Sequence, residues 1–196
     1  MTGNDLEDRA FNAFSQECLK AHNDYRSKHG VPPLALDPTV NLRPTKPDVL
    51  KEFIYLKIQV TAIAENWAKT LAARNNFFHS GIKGYGENLY ASWGTQVTGK
   101  IPVDSFYAEI KDYNFNAPGF SMKTGQLQLQ YLFRILIQLF ICHGVSGHFT
   151  QVVWKSSKLM GVGVAKGSNG VTYVVVNYYP PGNYYGQFPA NVPRPL

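Results

Sequence analysis

Gly147-His148-Phe149-Thr150-Gln151-Val152-Val153-Trp154-Lys155 is the stretch from which the rest of the chain is read. It carries one histidine ahead of a run in which bulky apolar residues, Phe149, Val152 and Trp154, are interleaved with polar ones. Alternation of that kind is the period of a half-buried strand, so the stretch predicts a core strand with a histidine at its start. Taken alone, such a histidine is a core residue held by a hydrogen bond.

Other segments change that reading. Upstream stand Phe78-His79-Ser80, Gly86-Glu87-Asn88-Leu89 and Phe106-Tyr107-Ala108-Glu109-Ile110, and downstream stands Val174-Val175-Val176-Asn177-Tyr178-Tyr179-Pro180-Pro181-Gly182-Asn183. With Gly147 to Ser157, these segments resemble, in order, the signatures of the CAP superfamily of cysteine-rich secretory, antigen 5 and pathogenesis-related 1 proteins, also called the SCP domain. Ala21-His22-Asn23-Asp24-Tyr25-Arg26 resembles the family's first-helix motif. The resemblance implies an α+β fold, a three-layer α-β-α sandwich, here a single domain over residues 8–196. It also implies a cleft in which His79, Glu87, Glu109 and His148 converge.

Composition sets the outer limits. The 196 residues are enough for one domain with a sizeable core. At 44% hydrophobic, 14% aromatic and 16% charged, the chain is too apolar for disorder. A net charge of +6 favours anionic partners such as acidic phospholipid surfaces. No basic run or nucleic-acid motif concentrates that charge, so nucleic acid is not an expected partner.

Only Cys18 and Cys142 are present, too few for the disulfide framework of a small secreted domain, and a reducing compartment is expected. The segment Met1 to Asp8 is acidic and has no apolar core, unlike a secretory signal. Val176 stands where the second CAP signature normally carries a cysteine. That departure points to the Golgi-associated plant pathogenesis-related branch, hence to a cytoplasmic protein peripheral to the Golgi membrane. An extracellular location is the alternative. Members of that branch can be N-myristoylated on a glycine at position 2, but residue 2 here is Thr.

Taken in order, residues 11–29 predict an amphipathic helix with Phe11, Phe14, Cys18, Ala21 and Tyr25 on one face, ended by Gly30 and Pro32-Pro33. His22 and Arg26, one turn apart, are expected to hold polar contacts beneath it. Ile63, Ala64, Trp67, Leu71 and Ala72 mark a second helix over 62–73, which leads to His79. The glycines around Glu87 permit a tight turn that aims it inward. Pro102 opens a third helix with a stripe of Val103, Phe106, Tyr107, Ile110 and Tyr113, and Glu109 lies beside that stripe. Met160–Ala165 and Val171–Val176 flank Gly167-Ser168-Asn169-Gly170 as a hairpin. The proline-rich tail after Pro180 reads as extended.

Two stretches have no counterpart in the family spacing. Residues 41–60 carry Pro44 and Pro47, suited to a surface loop, and Phe53-Ile54-Tyr55-Leu56, suited to a short strand or helical turn. Residues 126–146 read as a helix whose polar stripe is Gln126, Gln130, Arg134 and Gln138, too short and too interrupted to span a membrane. Each is either a true insertion or intron sequence carried into the reading frame. The second could also lie in a membrane interface or cover a partner.

The chemistry expected of the cleft follows from its residue types. Two neutral imidazoles, His79 and His148, can hold zinc or another divalent transition metal, with Glu87 and Glu109 orienting a bound water or a ligand. The same four groups can act as general acid and base, which is the enzyme reading, a metal-dependent hydrolase. Against it, the sequence has no G-x-S-x-G elbow, no H-E-x-x-H helix and no Cys-His pairing. The resemblance implies a non-enzymatic binding module, with an acidic membrane surface and an unidentified protein as partners. A homodimer and a secreted defence or toxin-like CAP protein are the open alternatives.

Overall fold

In the computed structural model, residues 3–37, 59–119 and 146–196 are described. The first apolar stripe winds into α1, Gly3–Lys28, which buries Cys18, Ala21, His22 and Arg26. A Schellman-type end stops it: Gly30 takes φ +63°, Gly30 N–H reaches Ser27 O at 3.1 Å, and Val31 N–H reaches Arg26 O at 3.2 Å. The chain then forms the short strand β1, Ala35–Leu36.

Helix α2, Val60–Arg74, is the second predicted helix. Val60, at the end of the stretch read as inserted, is its first residue and is fully buried. Asp37, just past β1, accepts Thr61 N–H at 3.4 Å, so the carboxylate sits at the helix's positive end. The chain on either side of residues 38–58 is therefore joined by this contact. Asn75 closes α2 in the left-handed region at φ 47°.

Strand β2, Gly86–Trp93, follows. The Gly-Glu-Asn segment is thus the start of a strand rather than a turn, because it pairs residue for residue with a later strand. Next come α3, Lys100–Tyr107, and a 3-10 turn over Ala108–Asp112 that carries Glu109. Strands β3, Leu159–Lys166, and β4, Val171–Tyr179, form the predicted hairpin. The sheet order is β1-β3-β4-β2, mixed because β1 runs parallel to β3 while the other pairs are antiparallel.

The sheet is covered on both faces, giving the three-layer α-β-α sandwich. On one face Val174, Val176 and Tyr178 meet α1, α3 and the Phe149–Trp154 region. On the other, Tyr173, Val175 and Leu89 meet Ala64, Ala68 and Leu71 of α2. This alternation along β4 is the period-two rule acting on a strand buried on both sides. The approach of α2 is close because β3 presents Gly161 and Gly163 to it. A Cβ at Gly161 would overlap the backbone of Val60 and Thr61, and one at Gly163 that of Ala64. Val176, where the second CAP signature normally carries a cysteine, is fully buried in β4, one of the two inner strands.

Two further expectations are corrected. Gly147–Val153 is a helix, α4, not a strand. Gly147, Phe149, Thr150, Gln151, Val152 and Val153 are all buried, so the polar residues between the apolar ones do not mark a solvent face. Thr150 donates to Asn183 Oδ1 at 2.7 Å, and Gln151 Oε1 accepts Gly182 N–H at 2.9 Å. Polar partners inside the core thus produce a pattern that imitates a half-buried strand. The tail after Pro180 contains α5, Phe188–Asn191, and Leu196 N–H reaches back to Lys28 O at 2.8 Å. The loop and strand read into 41–58, the helix read into 126–145, and Cys142 lie outside the described residues. Among the described residues, no helix is long and apolar enough to cross a membrane.

Candidate functional site

Helix α4 brings His148 to its first turn, and its two ends are held by opposite charges. At the N-terminus, Glu109 Oε2 accepts the backbone N–H of His148 at 2.9 Å and of Phe149 at 3.2 Å. Its other oxygen, Oε1, accepts His148 Nδ1–H at 2.7 Å. At the C-terminus, the buried Arg26 donates to Val152 O and Trp154 O, both at 2.9 Å, and to Ser157 O at 3.2 Å. An anion at the first turn and a cation at the last complement the helix dipole. That arrangement stabilises a seven-residue helix too short to persist by itself. The His148 ring stacks on Phe106, centroids 5.0 Å apart, and its side chain keeps 24% exposure.

His79 lies in the loop between α2 and β2. Its Nδ1–H donates to Glu87 Oε1 at 2.7 Å, and Ser80 N–H reaches the same oxygen at 2.9 Å. Burial by itself would raise the Glu87 carboxyl, but the hydrogen bonds from His79 and Ser80 outweigh it and hold the group below the usual glutamate range. Its Oε2 is buried with no hydrogen-bond partner among the described residues.

Each predicted histidine is therefore joined to its own predicted glutamate. The two pairs flank the start of β2, because Asn88, next to Glu87, donates to the His148 carbonyl at 3.1 Å. Among the described residues, no three His, Cys, Asp or Glu side chains stand together as a metal-holding cluster. In both imidazoles the Nδ1 proton is fixed by a carboxylate, so the neutral ring carries its lone pair on Nε2.

Sequence reasoning missed the residues that join these pairs to the core. Asn88 also donates to Tyr178 Oη at 3.1 Å, which in turn donates to His22 Nε2 at 2.7 Å. The chain of donors is set at its far end, since His22 Nδ1 faces a carbonyl, Cys18 O, at 2.8 Å and must donate there. Asn183 Nδ2 holds Gly147 O at 2.9 Å. The readable signal was a polar Asn in each of two motifs, Asn88 in β2 and Asn183 just past the end of β4. His22 and Arg26 do hold polar contacts beneath α1, as their spacing predicts.

Among the described residues one Cys-His pairing does exist: Cys18 Sγ lies 3.8 Å from His22 Nδ1. Both are fully buried. Burial pushes the thiol far above its ordinary value and pulls the imidazole down to about 4. A protonated thiol beside a neutral imidazole that is already bonded at both nitrogens is not a nucleophile.

An α-β-α sandwich with two imidazole–carboxylate pairs at the start of its edge strand defines a class of domain. The chain belongs to the cysteine-rich secretory protein (CAP) family, whose sequence model matches residues 56–178. It is 37% identical over 188 residues to human Golgi-associated plant pathogenesis-related protein 1, covering 93% of this chain and 94% of that one. It is 33% identical over 178 residues to the pathogenesis-related protein PR-1 type of Sambucus nigra, covering 89% and 80%. Among solved structures, NaASP2 with Zn2+ superposes with a TM-score of 0.56 at 20% identity, over 94% of this chain and 86% of that one. Na-ASP-1 superposes at 0.51 with 21% identity, over 89% and 40%. These likenesses support the fold.

Proposed function

We propose that the chain is a non-enzymatic CAP-domain binding module that associates peripherally with acidic membranes and holds a protein partner at its His/Glu cleft. The observation that carries this reading is how the carboxylates are used. Glu87 fixes His79 and the loop backbone, and Glu109 fixes His148 and the N-terminus of α4. A general acid or base must exchange its proton with a substrate, whereas these carboxylates hold the site's shape. The net charge of +6 supports attraction to anionic lipid. The Golgi association in the human relative's name supports a place on the Golgi membrane, while the pathogenesis-related plant relatives keep an extracellular location as the alternative. Sedimentation with phosphatidylserine-containing and neutral vesicles tests the reading. Preferential binding to the acidic vesicles, weakening with salt, is expected; equal binding to both at every salt concentration removes it.

A metal-dependent hydrolase is the second reading, and the imidazole geometry favours keeping it. A ring whose Nδ1–H is held by a carboxylate is the usual partner arrangement around zinc and similar ions. His79 and His148 would be the ligands, with Glu87 and Glu109 as their orienting partners and water completing the coordination. Such an ion supplies Lewis acidity when bound. Calorimetric titration with zinc should show binding that His79→Ala and His148→Ala each abolish and that Glu87→Gln and Glu109→Gln reduce less. Unchanged affinity in both histidine variants would remove the site. Turnover of an ester, peptide or phosphate substrate that disappears in both glutamine variants would overturn the non-enzymatic reading.

A further inference from the structure

The loop between α2 and β2 combines features that the His/Glu pairs do not use. Phe77 and Ile82 are large apolar side chains left 48% and 41% exposed. Beside them runs a groove of about 460 Å³ lined by Ile63, Trp67, Thr70, Ser80 and Ile82. Trp67, in its wall, is backed by an edge-on Phe78 at 5.0 Å. Among the described residues, the charges around this patch are unbalanced. Arg74 lies over the Phe78 ring at 5.9 Å, and Lys83, next to Ile82, is exposed. Of the acids nearby, Glu65 is matched by Lys69 at 3.8 Å, and Glu87 is occupied by His79 and Ser80. What remains, among the described residues, is an apolar patch rimmed by two cations.

The loop is also held in shape. Glu87 binds it at His79 and Ser80, Trp67 Nε1–H donates to Phe78 O at 3.0 Å, and Ile82 N–H reaches Ser80 Oγ at 3.2 Å. A preset loop gives up little conformational freedom when it docks. Apolar side chains exposed on such a loop, with basic residues beside them, have the composition of an interfacial membrane contact.

We infer that the α2–β2 loop, residues 75–85, with the groove beside it, is the face that meets an anionic lipid bilayer. Phe77 and Ile82 enter the headgroup layer while Arg74 and Lys83 stand against the lipid phosphates. This rests on the membrane reading above and names the surface that serves it. Charge complementarity selects the bilayer over an apolar protein surface, since the two cations would be buried without acids in the latter.

The test uses the full chain with phosphatidylserine/phosphatidylcholine vesicles, comparing wild type with Phe77→Ser/Ile82→Ser, Arg74→Gln/Lys83→Gln and Trp93→Ser. Trp93 is 75% exposed but stands at the opposite end of β2, about 23 Å away along the strand, so it serves as the control. Each double variant should bind at least roughly ten-fold more weakly, the charge pair losing its effect in high salt and the apolar pair retaining it. Trp93→Ser should bind as wild type does. Circular dichroism spectra and melting curves establish that all variants are folded; should a serine variant unfold, Ile82→Asn alone and the charge pair carry the comparison. Wild-type binding that both double variants match would overturn this surface and leave the membrane reading standing. Failure of the wild type to bind acidic vesicles would overturn both.

Discussion

Replacing Arg26 by Met should loosen α4 from its C-terminal end and lower the stability of the whole chain. Met fills a similar volume but donates nothing, so the Val152 and Ser157 carbonyls lose the guanidinium that satisfies them, while Trp154 O keeps Ser157 N–H at 3.1 Å and Pro32 O, the fourth acceptor, belongs to an exposed residue. A buried acceptor left unpaired costs about 1–3 kcal/mol. Two of them set a ceiling of about 6 kcal/mol. Removing a charge that was itself costly to bury offsets part of this, a cost visible in the Arg26 pKa, which burial draws down to about 10. A net loss of about 4 kcal/mol corresponds to a fall in Tm of roughly 8–16 °C for a chain of this size. Arg26→Lys restores one or two donors without the planar fork and should fall between. Differential scanning calorimetry measures the shift, and amide exchange at Phe149 to Val153 shows whether α4 opens first. A melting temperature for Arg26→Met within about 2 °C of wild type would refute the claim that the guanidinium holds this helix.

Other outcomes follow from the same contacts. Glu87 has a depressed folded pKa, so its contribution is present above the ordinary glutamate value and is lost as pH falls through the folded one. Glu87→Gln should therefore melt lower than wild type at pH 7, and the gap should close in acid; a gap that does not change with pH refutes this. His22 is held neutral with a pKa of about 4, so wild-type stability should fall by roughly 3 kcal/mol between pH 6.5 and 4. His22→Gln should flatten that slope in urea titrations, and an unchanged slope would show another group responsible. Gly163→Ala forces a methyl into the α2 backbone at Ala64 and should cost about 1–3 kcal/mol by chemical denaturation, against a negligible change if α2 can move away. Deleting residues 126–145, which spares the buried Ser146 whose carbonyl accepts Thr150 N–H, should leave a folded chain because loop length changes closure entropy only slowly. An unfolded deletion variant beside a stable full chain would show that stretch to be core.

The sequence by itself determined the elements whose period is unambiguous. The stripe Phe14, Cys18, Ala21, Tyr25 gave α1 and the set around Trp67 gave α2, because each signal is local and its solvent face is real; the runs flanking Gly167-Ser168-Asn169-Gly170 gave the β3–β4 hairpin through their local turn residues, although both strands are largely buried. The resemblance in five short motifs supplied the sandwich and the four site residues without supplying their pairing. Only the tertiary structure decided that Gly147–Val153 is helical. A segment buried on all sides has no solvent face for a period to record, and its polar residues answer to Asn183, Ser157 and Gly182, which come later in the chain. Only the tertiary structure, too, assigned His79 to Glu87 and His148 to Glu109, and put Arg26 and Glu109 at opposite ends of one helix. Those contacts join residues 8, 39 and more than 120 positions apart. A carboxylate shows in sequence that it can accept a proton or a hydrogen bond; which donor it meets is settled by packing, where an unpaired buried charge costs more than any local preference returns.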